Sequence, residues 1–242
     1  MVWTNQALNT AIDERVAAML VDEEGNTHIE DILTSLADTE FAEGSIDRIL
    51  SDPEEIEDWR VGEAIAEAYL IDHRVCQFPW PDSRDKRKRS SSLPGADLVG
   101  FGADAEGSCL AFGEVKTSSE AKYPPGLMYG RTGLKKQLED LRDSRTLRDD
   151  LFKYLCHRQF RMPLNSQFKA ASKRYLEDPS DVLLFGVLVR DVPPNEDDLR
   201  VRVHDLGNNC PDRTGIELLA IYLPNGCIEG LGDVVLEKRN RA

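Results

Sequence analysis

Between Asp181 and Arg190 the chain carries eight positions, Val182 to Val189, with no polar side chain. An unbroken apolar run this short reads as a buried strand, so the fold must supply a sheet with covered faces. Two more apolar runs, Ala96 to Phe101 and Cys109 to Val115, are joined by a Gly/Asp turn and read as a β-hairpin. Helical spacing surrounds them. Leu134, Leu138 and Leu141, then Leu147, Leu151 and Leu155, repeat at helical intervals, and a further helix is expected near 166–177. Val75 to Trp80 and Ile216 to Leu223 are further strand candidates, Leu199 to Val203 is an exposed one, and Ile228, Leu231, Val234 and Val235 mark a last helix. No internal repeat is visible, and this order of elements describes an α/β layer domain.

Charge divides the chain. Lys and Arg number 30 against 44 Asp and Glu, a net of −14, yet residues 1–60 hold three basic and sixteen acidic side chains. That first part is strongly acidic and the remainder close to neutral, which excludes a generally cationic nucleic-acid coat and a basic membrane-surface protein. Leu8, Ile12, Val16 and Met19 form one helical stripe ending near a turn at Gly25, and Ile29, Ile32, Leu33 and Leu36 form a second. We read residues 1–52 as an acidic helical N-terminal unit and 53–242 as the main domain. Ser51-Asp52-Pro53-Glu54-Glu55 resembles a helix start, so a helix is expected from Pro53 to Asp72. No apolar run reaches bilayer length and no signal peptide is seen, so the expectation is a cytoplasmic protein without a membrane partner. Five scattered cysteines form no C-x-x-C pair, and Cys156-His157 reads as a helix end, so neither disulfides nor structural zinc are expected.

The chemistry lies on the hairpin. On a strand, side chains alternate faces, so Glu114 and Lys116 project together while Val115 packs behind them and offers its carbonyl. The hairpin returns Asp97 to their neighbourhood. Two carboxylates and a main-chain oxygen form a hard-oxygen set suited to Mg²⁺ or Mn²⁺, and a lysine beside such a cation can act on the attacking water or balance phosphate charge.

On Asp97, Glu114 and Lys116 the sequence resembles the PD-(D/E)XK nuclease superfamily, over roughly residues 53–190. The resemblance implies a mixed sheet flanked by helices and a metal-dependent nuclease that hydrolyses DNA phosphodiesters. It also implies a metal-binding glutamate on the preceding helix. Glu63, on an apolar part of that helix, is the candidate, and Glu67 the second choice; a salt bridge from Glu63 to Arg60 is the competing reading. Many relatives place a glutamine on the helix after the Glu-x-Lys strand. Gln137 stands there, although Leu141 replaces the tyrosine that one subgroup has four residues later. Gly62-Glu63, Gly95 to Val99, Gly113 to Lys116 and Ile221 to Pro224 also look like the nuclease subunit of Hachiman-type anti-phage defence systems, which implies a helicase partner with ATPase activity.

Basic clusters carry the substrate expectation. Arg84, Lys86, Arg87, Lys88 and Arg89 precede the hairpin, and residues 131–174, including Lys135 and Lys136, hold twelve basic and five acidic residues. With Gln137 these are the candidate DNA contacts, through phosphates and not base edges. A solvated charged face is the plainer reading of such runs. The acidic N-terminal unit has three readings: a mask over the basic surface, a docking element, or helices that complete the core. A catalytically inactive scaffold with an acidic, DNA-mimicking or protein-binding module is the alternative to an enzyme.

Overall fold

A computed structural model of the chain describes residues 1–36, 39–51, 55–81, 84, 95–159 and 166–239, with backbone alone at 40–43. The N-terminal segment is one continuous rod: α1 (Asn5–Ala11), a π-helical stretch (Ile12–Val16) and α2 (Ala17–Val21). It is followed by α3 (Glu23–Thr34), α4 (Glu40–Leu50) and α5 (Asp58–Arg74). Then come β1 (Leu98–Asp104), β2 (Gly107–Ser118), α6 (Leu134–Asp143), α7 (Arg145–Gln159) and α8 (Ser166–Glu177). The chain closes with β3 (Val182–Arg190), α9 (Arg200–Gly207), β4 (Gly215–Tyr222) and α10 (Leu231–Arg239).

The four strands form one mixed sheet in the order β1-β2-β3-β4, with β1 antiparallel to β2 and the other pairs parallel. The apolar run sits in the interior as β3. Strand alternation gives each sheet face its own core. Val115, Val187 and Val189 join Leu8, Ile12, Val16, Ile65 and Leu70 from the N-terminal rod and α5. Leu110, Phe112, Leu184 and Leu188 join Leu134, Leu138, Leu155 and Tyr175 from α6, α7 and α8. An α/β architecture with helices on both faces of the sheet is therefore present. Val2 bridges to Tyr222, so the first residues extend the β4 edge, and residues 1–21 share their apolar cluster with α5 and the sheet.

Several expected elements differ. Residues 55–57 run extended to bury Ile56, and the helix begins at Asp58 rather than Pro53, whose surroundings at 52–54 lie outside the described residues. Ser51 caps the end of α4 through the Arg48 carbonyl, and Asp58 accepts from the Gly230 and Gly232 amides at the start of α10. The turn after α2 falls at Asp22, with φ of 49°, and Gly25 lies inside α3, where its amide donates to Asp22 Oδ1. Val75 to Trp80 forms one bridge, Gln77 to Phe101, because Pro79 and Pro81 cannot donate to a ladder. The expected strand at Leu199 to Val203 is instead the start of α9. Its buried residues are Arg202 and Leu206, one helical turn apart, while Val201 and Val203 are exposed.

Candidate functional site

The pairing of Leu98 with Gly113 brings Asp97, the residue before β1, opposite Glu114. Asp97 Oδ2 accepts the Val115 amide at 2.8 Å. A strand residue presents its N–H and C=O on the same side, so the Val115 carbonyl leaves toward Asp97, beyond the last β1 pairing. Lys116 Nζ lies 3.6 Å from Glu114 Oε2 and 4.0 Å from Asp97 Oδ2. Asp97, Glu114 and Lys116 thus come together, with Lys116 and Asp97 partly open to solvent and Glu114 1% exposed.

Glu114 is the electrostatic anomaly. Its carboxyl is pushed up to about 9, chiefly by burial and then by the Asp97 charge, against the opposing pull of Lys116. Its Oε2 makes no hydrogen bond; Thr117 Oγ1, on the opposite face of β2 toward α5, and Gln137 Oε1 on α6 are also buried without one. Gln137 precedes Leu138 on α6; Leu138 packs over Gly186, the β3 residue paired with Glu114. Helix α5 crosses β2 one residue past Lys116. A Cβ on Gly62 would lie 1.9 Å from Thr117 Oγ1, so glycine permits this crossing.

Glu63 follows Gly62 and is half-buried, but among the described residues no group of three or more His, Cys, Asp or Glu side chains is assembled to hold a metal. Asp97 and Glu114 are therefore the two gathered carboxylates, and Glu63 does not complete a third. Such a set suits a cation that retains several waters, and Glu114 Oε2, which makes no hydrogen bond, is the position it would satisfy.

The basic candidates divide. Arg84 Nε and Nη2 bind Asp22 at 2.6 and 2.7 Å, and its guanidinium stacks on Trp80. Lys86, Arg87, Lys88 and Arg89 lie outside the described residues. Lys135 is bound to Asp205 and Lys136 to Asp140. Within the basic stretch, Arg142, Arg148 and Arg174 are structural: carbonyls hold the first two, and Asp104 and Asp181 hold the third. Among the described residues, the acidic N-terminal unit pairs with Arg84, Lys238 and Arg239.

Sequence reading missed the polar frame at the strand ends. Arg190, with no exposure at all, donates to Ser118 Oγ at 3.1 Å and to the Lys122 carbonyl at 3.0 Å, and pairs with Asp198 at 3.4 Å. Tyr222 Oη donates to the same aspartate. The available signal was an arginine ending an otherwise apolar buried strand. Neither a protein-family model nor a curated protein matches the chain. Among the described residues no helix is long and apolar enough to cross a membrane.

Proposed function

We propose that the protein is a metal-dependent deoxyribonuclease of the PD-(D/E)XK type, hydrolysing DNA phosphodiesters with Mg²⁺ or Mn²⁺. The observation that carries this reading is a buried Glu114 carboxyl facing Asp97, whose Oε2 makes no hydrogen bond and has the Lys116 ammonium 3.6 Å away. Burying such a charge beside another carboxylate is costly unless a cation accompanies it. Asp97, Glu114 and the Val115 carbonyl are the ligands that would hold the ion, which would supply Lewis-acid polarisation of the phosphate. Lys116 orients the attacking water and offsets charge building on the phosphate oxygens. Asp97, by accepting the Val115 amide, holds the strand end in register for both tasks. Glu114→Gln and Lys116→Ala should each lower Mg²⁺-dependent cleavage of DNA by at least about 10²-fold. Wild-type rates from either variant, or full activity after exhaustive chelation, would overturn the assignment.

The narrower likeness extends the proposal to an anti-phage defence effector working with a helicase. Ile29 and Ile32 lie exposed on α3 and Leu36 in the turn just past its end, among acidic residues, and offer a surface for such a partner. The same surface supports the second reading, a scaffold with an acidic interaction module. Ile29→Glu with Ile32→Glu should abolish co-purification with a co-expressed helicase while cleavage persists. Partner loss without any cleavage by the wild type supports the scaffold.

A further inference from the structure

Among the buried arginines, Arg202 on α9 stands apart. Arg142, Arg148 and Arg190 each donate to carbonyl or carboxylate oxygens. Arg202 is 7% exposed, its Nε has no partner, and no acceptor among the described residues reaches its guanidinium. A buried guanidinium Nε–H with no acceptor is unfavourable unless an anion or other acceptor completes it, and the two terminal nitrogens, which reach solvent, leave the fork open to such a group.

Its surroundings point to where that anion enters. The guanidinium stacks 4.4 Å from the ring centroid of Tyr129, a half-exposed side chain. Lys122 Nζ, on an exposed side chain, lies 6.0 Å from the same ring and has no carboxylate partner among the described residues. Two cations thus share one aromatic ring at the surface. Asp205, whose carboxyl also feels the Arg202 charge, is hydrogen-bonded by Lys135 at 2.8 Å and not by the guanidinium.

The position is rigidly tied to the Glu114–Lys116 strand. Asp198, four residues before Arg202, is held by Arg190 and Tyr222, which anchors the start of α9. Arg190 also holds Ser118, two residues past Lys116 on the same strand face, and the carbonyl of Lys122. One buried arginine therefore sets both unpartnered cations relative to the strand that bears Lys116.

We propose that Arg202 and Lys122, framed by Tyr129, form a subsite for a phosphodiester of DNA flanking the one at the Asp97–Glu114–Lys116 site; this rests on the nuclease reading above. The guanidinium fork receives two phosphate oxygens and the ammonium adds charge without reading bases. Nucleosides on either side of this phosphate are left undiscriminated.

The test measures binding of a short DNA duplex to the full chain, in chelator, over a range of salt. Arg202→Gln and the exposed Lys122→Gln should each weaken binding several-fold and lower the slope of log affinity against log salt by about one. Arg202→Lys should recover part of the affinity. Unchanged slopes in both variants, even with a lower melting temperature for Arg202→Gln, overturn the proposal and make Arg202 a packing residue. Stabilisation by inorganic phosphate that Arg202→Gln abolishes, with duplex binding untouched, overturns the DNA assignment in favour of a free anion. Reduced slopes alongside full cleavage by Glu114→Gln support the subsite and overturn the catalytic assignment instead.

Discussion

Glu114 shows how one side chain can link stability to a ligand. In metal-free protein the folded state keeps its proton up to about pH 9, whereas the unfolded chain releases it near the ordinary value of 4.5. The folded state therefore binds more protons through that window, and stability falls as pH rises across it. With chelator present, the melting temperature should decline from about pH 5 toward pH 9 more steeply in wild type than in Glu114→Gln, which has no proton to lose. Added Mg²⁺ should reverse the decline in wild type alone. Parallel melting curves for the two proteins would show that the buried carboxylate is not the titrating group.

Two contacts between elements make sharper demands than their residue types suggest. Gly62→Ala in an exposed helix would raise stability by about 1 kcal/mol. Here the new methyl meets Thr117 Oγ1 at 1.9 Å and Thr117 Cβ at 3.1 Å, so a loss of about 1–3 kcal/mol is expected from overpacking. Thr117→Ala should recover much of it in a double-mutant cycle, by chemical denaturation. The second contact is Arg174, which joins the end of β1 at Asp104, the Gly107 carbonyl and Asp181 ahead of β3. Arg174→Met leaves the buried Asp181 with only Arg213, and a loss of about 3 kcal/mol is expected. The Arg174 hydrogen bond also holds the Asp104 carboxyl below its usual range. That contribution is present above the ordinary aspartate value and is lost as pH falls through the depressed one. The variant should accordingly show a shallower loss of stability on acidification below about pH 4.

For the molecule as a whole, the N-terminal rod is part of the core. Leu8, Ile12 and Val16 are buried against α5 and α10, and each such side chain stabilises by about 1.5–3 kcal/mol. Their sum is comparable to the net stability of a typical domain, about 5–15 kcal/mol. Deleting residues 1–50 should give an insoluble or non-cooperatively melting protein, not a stronger DNA binder. A soluble deletion with an unchanged melting curve would place the core elsewhere. Four of this segment's acids, Asp13, Asp22, Glu23 and Glu24, pair with Arg84, Lys238 and Arg239.

Local pattern alone determined the hairpin, the buried strand at 182–189, the helix at 166–177 and the common face of Glu114 and Lys116, because strand alternation and helical spacing act between near neighbours. The return of Asp97 to Glu114 was legible for the same reason, since a short turn sets the register. Alternation misled at Leu199 to Val203, where the burial of Arg202 and Leu206 against distant elements outweighed two valines. The helix start near Pro53 likewise yielded to the burial of Ile56 beside α10. Only the tertiary structure decided which charges were left without partners. Arg142, Arg148, Arg174 and Arg202 look alike in the chain, and what separates them is whether a carbonyl or carboxylate from a remote segment arrives at the guanidinium. That outcome depends on long-range packing, which no local spacing encodes.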